Sequence, residues 1–217
     1  PHGDCCNSLT SRMITLINPP GIKTFSGLQM HTPNPPLGLA YVAGALKQAG
    51  LSYRVVDATG AALDAVSPYP DRSDFMVQGL TLDELVARIH PDTTVVGISC
   101  MFSTLWPLTN RVAHAVRDKV PRALMVLGGE HGTAVPEHVL GASPFDVVVL
   151  GEGEETFVEL LRAHAAGRPL AEVKGLALRQ EGRIVKTGLS ARRKDVDAIA
   201  PPDWDSFPIA EYIERHQ

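Results

Sequence analysis

The stretch Leu124–Phe157, LMVLGGEHGTAVPEHVLGASPFDVVVLGEGEETF, decides the fold of this chain. It contains two short apolar runs, Leu124–Leu127 and Asp146–Leu150, and each is followed at once by a glycine turn and a helical pattern. In an open parallel sheet, both turns would lie at the carboxyl edge, where the ligands of such sheets bind. Glycines there let the backbone approach a ligand closely. The stretch therefore predicts one wall of a ligand site.

The rest of the chain repeats this alternation of strand and helix. Three more β-branched apolar runs predict strands at Met13–Asn18, Tyr53–Asp57 and Thr94–Cys100, and a helical pattern follows each of them. Thr81 and Glu84 form a capping box at the start of the helix that precedes the third strand. Because crossovers in such units are right-handed, we expect a parallel sheet. Since 2-1-3-4-5 is a common doubly wound order, we expect an α/β fold whose five parallel strands have this order, with helices on both faces.

Other segments do not fit this alternation. The stretches Gly21–Pro36 and 58–80 are predicted to be loops. After Gly167, the pattern predicts a β-hairpin, an extended linker at Pro201–Pro208 and a short helix at Ala210–Arg215. We therefore expect a disordered lead-in over 1–12, a Rossmann domain over 13–168, and a hairpin and linker over 169–217.

Composition excludes several classes of protein. The 217 residues have a formal charge of −4 and no basic block, which argues against a nucleic-acid partner. No apolar run reaches membrane-spanning length, and residues 1–12 lack the apolar segment of a signal peptide. The three cysteines are too few and too badly spaced for a disulfide framework. We expect a cytoplasmic protein that contacts neither nucleic acid nor membrane.

Several familiar sites are missing from the sequence. It has no phosphate-binding P-loop, no G-x-S-x-G elbow and no H-E-x-x-H zinc motif. No G-x-G-x-x-G opens the first helix, and the turn Gly151–Glu155 places carboxylates where a dinucleotide would place its pyrophosphate. These features disfavour a nicotinamide dinucleotide.

Five residues have two interpretations each. Glu152 and Glu154 fit a general acid-base pair. Alternatively, Glu154 and Glu155 fill the first turn of a helix and Glu152 bonds a neighbouring backbone. His131 fits a metal ligand, or a ring that stacks on a flat ligand or caps its own loop. Ser99 fits a contact to the ligand or only to its own loop, and Trp106 fits core packing or a cofactor platform.

Taken in order, these motifs resemble the N-terminal domain of cobalamin-binding radical S-adenosylmethionine enzymes. The resemblance covers residues 13–217. It is carried by Asn18-Pro19-Pro20, Pro35–Tyr41, Ala43–Leu46, Val96–Ser99, Gly128–Thr133 with Pro136-Glu137, and Asp146–Glu155.

The resemblance implies a flavodoxin-like Rossmann fold that holds cobalamin, the corrin ring lying over the carboxyl edge and the nucleotide tail running between sheet and helices. A side chain at Gly128 or Gly129 would then obstruct the tail. The positions that match the family's ring and tail contacts are Asn18, Pro19, Thr59, Ser99, Met101, Phe102, Ser103, Gly128, Gly129, Glu130, His131, Thr133, Gly151, Glu152, Gly153 and Glu154.

Two motifs of cobalamin-dependent proteins are not found in the sequence. The D-x-H-x-x-G motif of the other large class of cobalamin proteins is absent, so the resemblance implies base-off cobalamin with no protein histidine on cobalt. His31, in the loop that would face the lower side of the ring, is expected to be solvated. The C-x-x-x-C-x-x-C motif is also absent. We therefore expect the four-iron four-sulfur cluster and S-adenosylmethionine to be bound by a radical SAM domain of a longer chain, which would also shape the pocket for a small-molecule substrate.

The function implied by the resemblance is that of the cobalamin module of a radical SAM enzyme, expected to be a methyltransferase. Some relatives use cobalamin for ring formation instead, and some have lost it. Two other classes remain open, because five β-α units support either: a flavin- or nucleotide-binding flavodoxin-like domain, and an interaction domain without a cofactor.

Overall fold

The computed structural model describes residues 13–24, 33–70, 72–188, 190 and 195–214. The strands in these residues are β1 (Met13–Asn18), β2 (Gly21–Thr24), β3 (Tyr53–Asp57), β4 (Val66–Pro68), β5 (Phe75–Gln78), β6 (Thr93–Ser99), β7 (Leu124–Gly128), β8 (Val147–Val149), β9 (Leu176–Gln180) and β10 (Arg183–Lys186). The α-helices are α1 (Leu37–Gln48), α2 (Leu82–Ala87), α3 (Trp106–Lys119), α4 (Glu130–Ala134), α5 (Pro136–Ala142), α6 (Glu154–Ala165) and α7 (Ile209–Glu214). The predicted lead-in over 1–12 lies outside the described residues.

The central sheet confirms the predicted fold class and strand order. Strands β3, β1, β6, β7 and β8 lie side by side and run parallel, which is the doubly wound order 2-1-3-4-5. Their carboxyl ends meet at one edge, where Asn18 is level with Asp57 and Ser99 is level with Gly128. The loops that follow these four residues therefore face the same space.

Helices cover both faces of the sheet, and each face has its own apolar core. Helices α1 and α6 pack together on one face, where Leu46 and Leu160 are fully buried. Helices α2 and α3 pack on the other, where Leu85 and Val112 are fully buried. Sequence signals set the ends of these helices: α1 follows Pro35-Pro36, and the predicted capping box holds the start of α2.

The C-terminal hairpin is present and belongs to the same sheet. Strand β9 pairs antiparallel with β8, and β10 pairs antiparallel with β9, so the sheet has the order β10-β9-β8-β7-β6-β1-β3. The five parallel strands were predicted, and the hairpin extends them to seven. It can do so because β8 would otherwise be an edge strand with unpaired backbone groups.

The prediction of loops at Gly21–Pro36 and 58–80 was wrong in part. Strand β2 pairs with β5, and β5 pairs with β4, in a second, three-stranded antiparallel sheet. A 3₁₀ turn at Gly60–Ala62 precedes β4. The small sheet joins segments more than fifty positions apart in the chain, and its strands are only three or four residues long. Local periodicity cannot reveal such a pairing.

The predicted extended linker at Pro201–Pro208 instead docks on the body of the molecule. Asp203 is buried and accepts hydrogen bonds from Lys47 Nζ at 2.6 Å, from Tyr53 Oη at 2.6 Å and from the Ser206 hydroxyl. Its backbone N–H donates to the carbonyl of Ala40 at 2.9 Å. The linker contains a 3₁₀ turn at Trp204–Ser206, and α7 follows it. This segment is therefore fixed to α1 and β3.

Candidate functional site

Two adjoining cavities open at the carboxyl edge of the parallel sheet. The larger has a volume of about 990 Å³ and lies over the ends of β1, β3 and β6. The narrower has a volume of about 160 Å³ and runs between the sheet and the pair α1 and α6. Both are lined by Gly38, Leu39, Ser99 and Met101, so one continues into the other. Small-molecule sites typically occupy roughly 300–1,000 Å³, which the large cavity reaches and the narrow one does not.

The wall of the large cavity is mostly apolar. Prolines 19, 20, 33, 35 and 36 form one side. Phe75 of β5 and Tyr69, which directly follows β4, form another. Met101 and Phe102, in the loop after β6, are 46% and 65% exposed at its rim. Exposed apolar side chains of this size around a cavity mark a surface that binds a ligand or a partner.

The narrow cavity is bounded by glycines whose missing side chains leave it open. A Cβ atom added to Gly38, Gly128 or Gly151 would meet no atom within 4 Å. Gly129 is different: its φ is +99°, and an added Cβ would lie 2.6 Å from the carbonyl oxygen of Cys100. The expectation that a side chain at either position would obstruct a tail therefore needs correction, because glycine at 129 is required by the backbone itself.

Thr133 connects the two glycine turns without reaching either cavity. Its hydroxyl accepts a hydrogen bond from the backbone N–H of Gly151 at 2.9 Å and donates to the carbonyl of Gly129 at 3.3 Å. The turns after β7 and β8 are thus held at a fixed spacing, which sets the width of the narrow cavity on that side.

His131 is buried behind the cavity wall. Its Nδ1 lies 2.9 Å from the hydroxyl of Ser103, and its ring stacks on Trp106 with centroids 4.8 Å apart. Burial lowers the pKa of His131, and the nearby His138 lowers it further. Neither His131 nor Ser103 is among the described residues that line these two cavities. Ser103 belongs to the loop after β6, so His131 contacts that loop through its hydroxyl. Trp106 is 8% exposed and belongs to the core, as its packing interpretation predicted.

Acidic side chains lie at the other end of the narrow cavity. Glu152 and Glu154 line it, and Glu154 and Glu155 occupy the first turn of α6. This position favours carboxylates because the helix N-terminus carries a partial positive charge. The helix-start interpretation of Glu154 therefore accounts for its placement.

The fold brings most of the sequence-predicted residues together. Those that line the large cavity are Asn18, Pro19, Thr59, Ser99, Met101 and Phe102, and those that line the narrow one are Ser99, Met101, Gly128, Gly129, Glu130, Gly151, Glu152, Gly153 and Glu154. Ser103, His131 and Thr133 are not among the lining residues and instead support the wall. His31 lies outside the described residues.

Sequence reasoning missed part of both walls. Residues of the small sheet were missed because the sheet itself was. Gly97, inside β6, faces the narrow cavity, and an added Cβ would lie 3.0 Å from Leu16 and 3.2 Å from Phe157. A glycine in the interior of a strand does signal a close approach, so Gly97 could have been found.

The described part of the chain shows neither a preformed metal site nor a membrane span. It contains no group of three or more histidine, cysteine or carboxylate side chains placed to hold a metal ion. None of its helices combines the length and apolar character needed to cross a bilayer. No histidine is among the described residues that line either cavity.

Comparison with known proteins identifies the family. A model of the B12 binding domain matches residues 27–161, which is more than half of the chain. The anaerobic magnesium-protoporphyrin IX monomethyl ester cyclase of Cereibacter sphaeroides is 34% identical over 184 residues, 82% of this chain and 27% of the cyclase. The cobalamin-dependent radical SAM methyltransferase TokK of Streptomyces tokunonensis is 32% identical over 109 residues, 48% of this chain and 15% of TokK.

A solved structure shares the fold. The cobalamin-dependent S-adenosylmethionine radical enzyme OxsB, with aqua-cobalamin and S-adenosylmethionine bound, superposes with a TM-score of 0.67 at 17% identity, over 95% of this chain and 26% of OxsB. The chain thus spans between about one seventh and about one quarter of the length of these three proteins. The resemblance seen in the sequence is confirmed: the chain belongs to the B12-binding domain family, in the form found in cobalamin-dependent radical SAM enzymes.

Proposed function

We propose that this chain is the cobalamin-binding module of a radical SAM methyltransferase. The observation that carries the proposal is the pair of connected cavities, one wide and one narrow, at the edge where doubly wound folds bind ligands. A ligand made of a broad ring and a slender tail requires such a pair. The radical SAM domain, its four-iron four-sulfur cluster and S-adenosylmethionine would belong to the rest of a longer chain, as would the substrate pocket.

The residues present fit this cofactor. The open positions at Gly38, Gly128 and Gly151 leave room for a tail between sheet and helices. Cobalamin, when bound, supplies a methyl group on cobalt that can be transferred to a substrate. Residues of this chain would hold the ring from one side and keep water from it with Met101, Phe102 and the prolines of the large cavity.

The lower face of the ring would carry no histidine of the described residues. His131, the histidine in the β7 turn, is held behind the wall by Ser103 and Trp106. We therefore propose base-off cobalamin without an imidazole on cobalt. The electron paramagnetic resonance signal of the cobalt(II) form should lack nitrogen hyperfine splitting on its axial lines. Strong splitting would contradict this part of the proposal.

Binding itself is tested by titrating the purified 217-residue chain with hydroxocobalamin after removal of free cofactor. Saturable binding with a shifted absorbance spectrum is the expected result. Flavin mononucleotide, titrated in parallel, represents the flavodoxin-like alternative and should not saturate. If the folded chain binds neither compound, the proposal fails, and an interaction domain without a cofactor is the alternative that is left.

A further inference from the structure

A path of buried hydrogen bonds joins the last described helix to the large cavity. Tyr212 of α7 is fully buried, and its hydroxyl lies 2.9 Å from Oδ2 and 3.1 Å from Oδ1 of Asp57. The amide nitrogen of Asn18 donates to Oδ1 of the same carboxylate at 2.7 Å. Asn18 lines the large cavity. Three side chains thus connect α7, through the end of β3, to the end of β1 at the cavity wall.

The centre of this path is a carboxylate that depends on its partners. Asp57 is 5% exposed, and burial raises its pKa. Hydrogen bonds from Asn18, from Tyr212 and from the backbone N–H groups of Gly60 and Thr59 lower it. A buried carboxylate that loses one donor is left with part of its desolvation cost uncompensated. Removing the Tyr212 hydroxyl should therefore change how Asp57 holds its three remaining donors, one of which is Asn18.

Close packing fixes the geometry of this connection. A Cβ atom added to Gly60 would lie 2.5 Å from Oδ2 of Asp57, 2.6 Å from Cε2 of Tyr212 and 2.7 Å from Cγ of Pro208. The glycine turn and the start of α7 therefore touch directly, with no room for a side chain between them. A change at one end of the path is transmitted by contacts that have little freedom to adjust.

We propose that Tyr212 is a positioning residue for the ligand of the large cavity: through Asp57 it fixes the side chain of Asn18, and so couples the packing of α7 to occupancy of the cavity. The identity of the ligand, cobalamin, rests on the proposed function. The coupling is reciprocal, because a ligand that binds better when α7 is docked must also stabilise the docked helix.

The chain contains a matched control for this contact. Tyr53 also donates its hydroxyl to a buried carboxylate, that of Asp203, at 2.6 Å, and it also ties the C-terminal segment to the body. Neither Tyr53 nor Asp203 is among the described residues that line the large cavity. Tyr53→Phe and Tyr212→Phe therefore delete the same atom from similar contacts, and only the second contact leads to the cavity.

The experiment is a double-mutant cycle on hydroxocobalamin affinity, measured by titration where circular dichroism shows every variant folded. In the parent background, Tyr212→Phe should weaken binding about three- to tenfold, a loss typical of one hydrogen bond, whereas Tyr53→Phe should leave the affinity unchanged. In an Asn18→Ala background, Tyr212→Phe should cause no further loss. Hydrogen exchange on the parent is a second measurement: hydroxocobalamin should slow exchange at Ile209–Glu214.

The outcomes separate this inference from the proposed function. If the parent binds and Tyr212→Phe has the same effect with and without Asn18, or no more effect than Tyr53→Phe, the positioning role is wrong and the cobalamin module stands. If Tyr212→Phe does not fold, hydrogen exchange on the parent is the test: exchange rates at Ile209–Glu214 that do not change when hydroxocobalamin binds would overturn the coupling. A folded parent that does not bind hydroxocobalamin overturns both.

Discussion

Gly128 offers the sharpest test of the narrow cavity. An added Cβ there would meet no atom within 4 Å, and the residue ends β7 without a positive φ, so valine is compatible with its backbone. Gly128→Val adds three carbon atoms. A water molecule takes up roughly 30 Å³ in the liquid, and one carbon atom with its hydrogens takes up a similar volume. The three carbon atoms together therefore fill about half of the cavity's 160 Å³.

That loss of space should be seen in affinity and not in stability. Overpacking typically costs about 1–3 kcal/mol, which corresponds to roughly a 5- to 150-fold weaker affinity for a ligand that must share the space. The assay is hydroxocobalamin titration of the folded variant, with unfolding by urea to confirm that the fold is retained. Gly141→Val is the control, because Gly141 is exposed on α5, is not among the described residues that line either cavity, and its Cβ would also meet no atom.

The reasoning is refuted if Gly128→Val is folded and binds hydroxocobalamin as tightly as the parent and Gly141→Val do. Gly128 would then end a strand and nothing more, and the tail would have to lie elsewhere. Gly129→Val cannot serve as this test. Its strained φ and its contact with Cys100 would unfold the turn whether or not a ligand binds there.

Two further predictions concern stability. Gly44→Ala should lower the free energy of unfolding by about 1–3 kcal/mol, because its Cβ would collide with the carbonyl oxygen of Pro201. Gly38→Ala lies in the same helix, but its Cβ would meet no atom, so it should raise that free energy by up to about 1 kcal/mol. Urea denaturation measures both changes. His131 should make the protein sensitive to mild acid: its lowered pKa favours the neutral folded form, so stability present above the unfolded pKa of about 6.5 is lost below it. The melting temperature of the parent should fall when the pH is lowered from 7.5 to 5.5, and that of His131→Gln should fall by less. His114→Gln is the control: its side chain is exposed, so its melting temperature should fall as much as that of the parent.

The parallel sheet could be predicted because its signals are local. Each of its strands is a run of apolar or β-branched residues, and turn residues such as Pro19 or Gly128 follow directly. Right-handed crossovers then made the sheet parallel, and the order of the strands followed from a common doubly wound arrangement. The small antiparallel sheet could not be predicted in this way, because β2 gains its partner only when the chain returns at β5. Because this sheet was not predicted, the contribution of Tyr69 and Phe75 to the wall of the large cavity was not predicted either.

The C-terminal segment shows the same limit in a different form. Pro201-Pro202-Asp203 has the composition of a linker, and its proline content favours an extended backbone. This segment docks on α1 because of a glycine 157 positions earlier: the backbone of Pro201 lies where a side chain at position 44 would be. One turn further along α1, Lys47 forms an ion pair with Asp203. The local sequence pattern cannot distinguish a free linker from a segment that docks on a distant helix.

The glycines of this chain have three different roles, and the sequence alone does not distinguish them. Gly128 leaves a cavity open, Gly129 adopts a φ of +99° beside Cys100, and Gly44 lets a distant segment touch a helix. Only the first role bears on a ligand. The distinction lies in what surrounds the missing Cβ atom, and it predicts opposite phenotypes for neighbouring substitutions: lost affinity with the fold intact at 128, and a lost fold at 129. A sequence motif such as Gly128-Gly129 therefore marks where a site is, whereas the contacts of each position decide which residue the ligand meets.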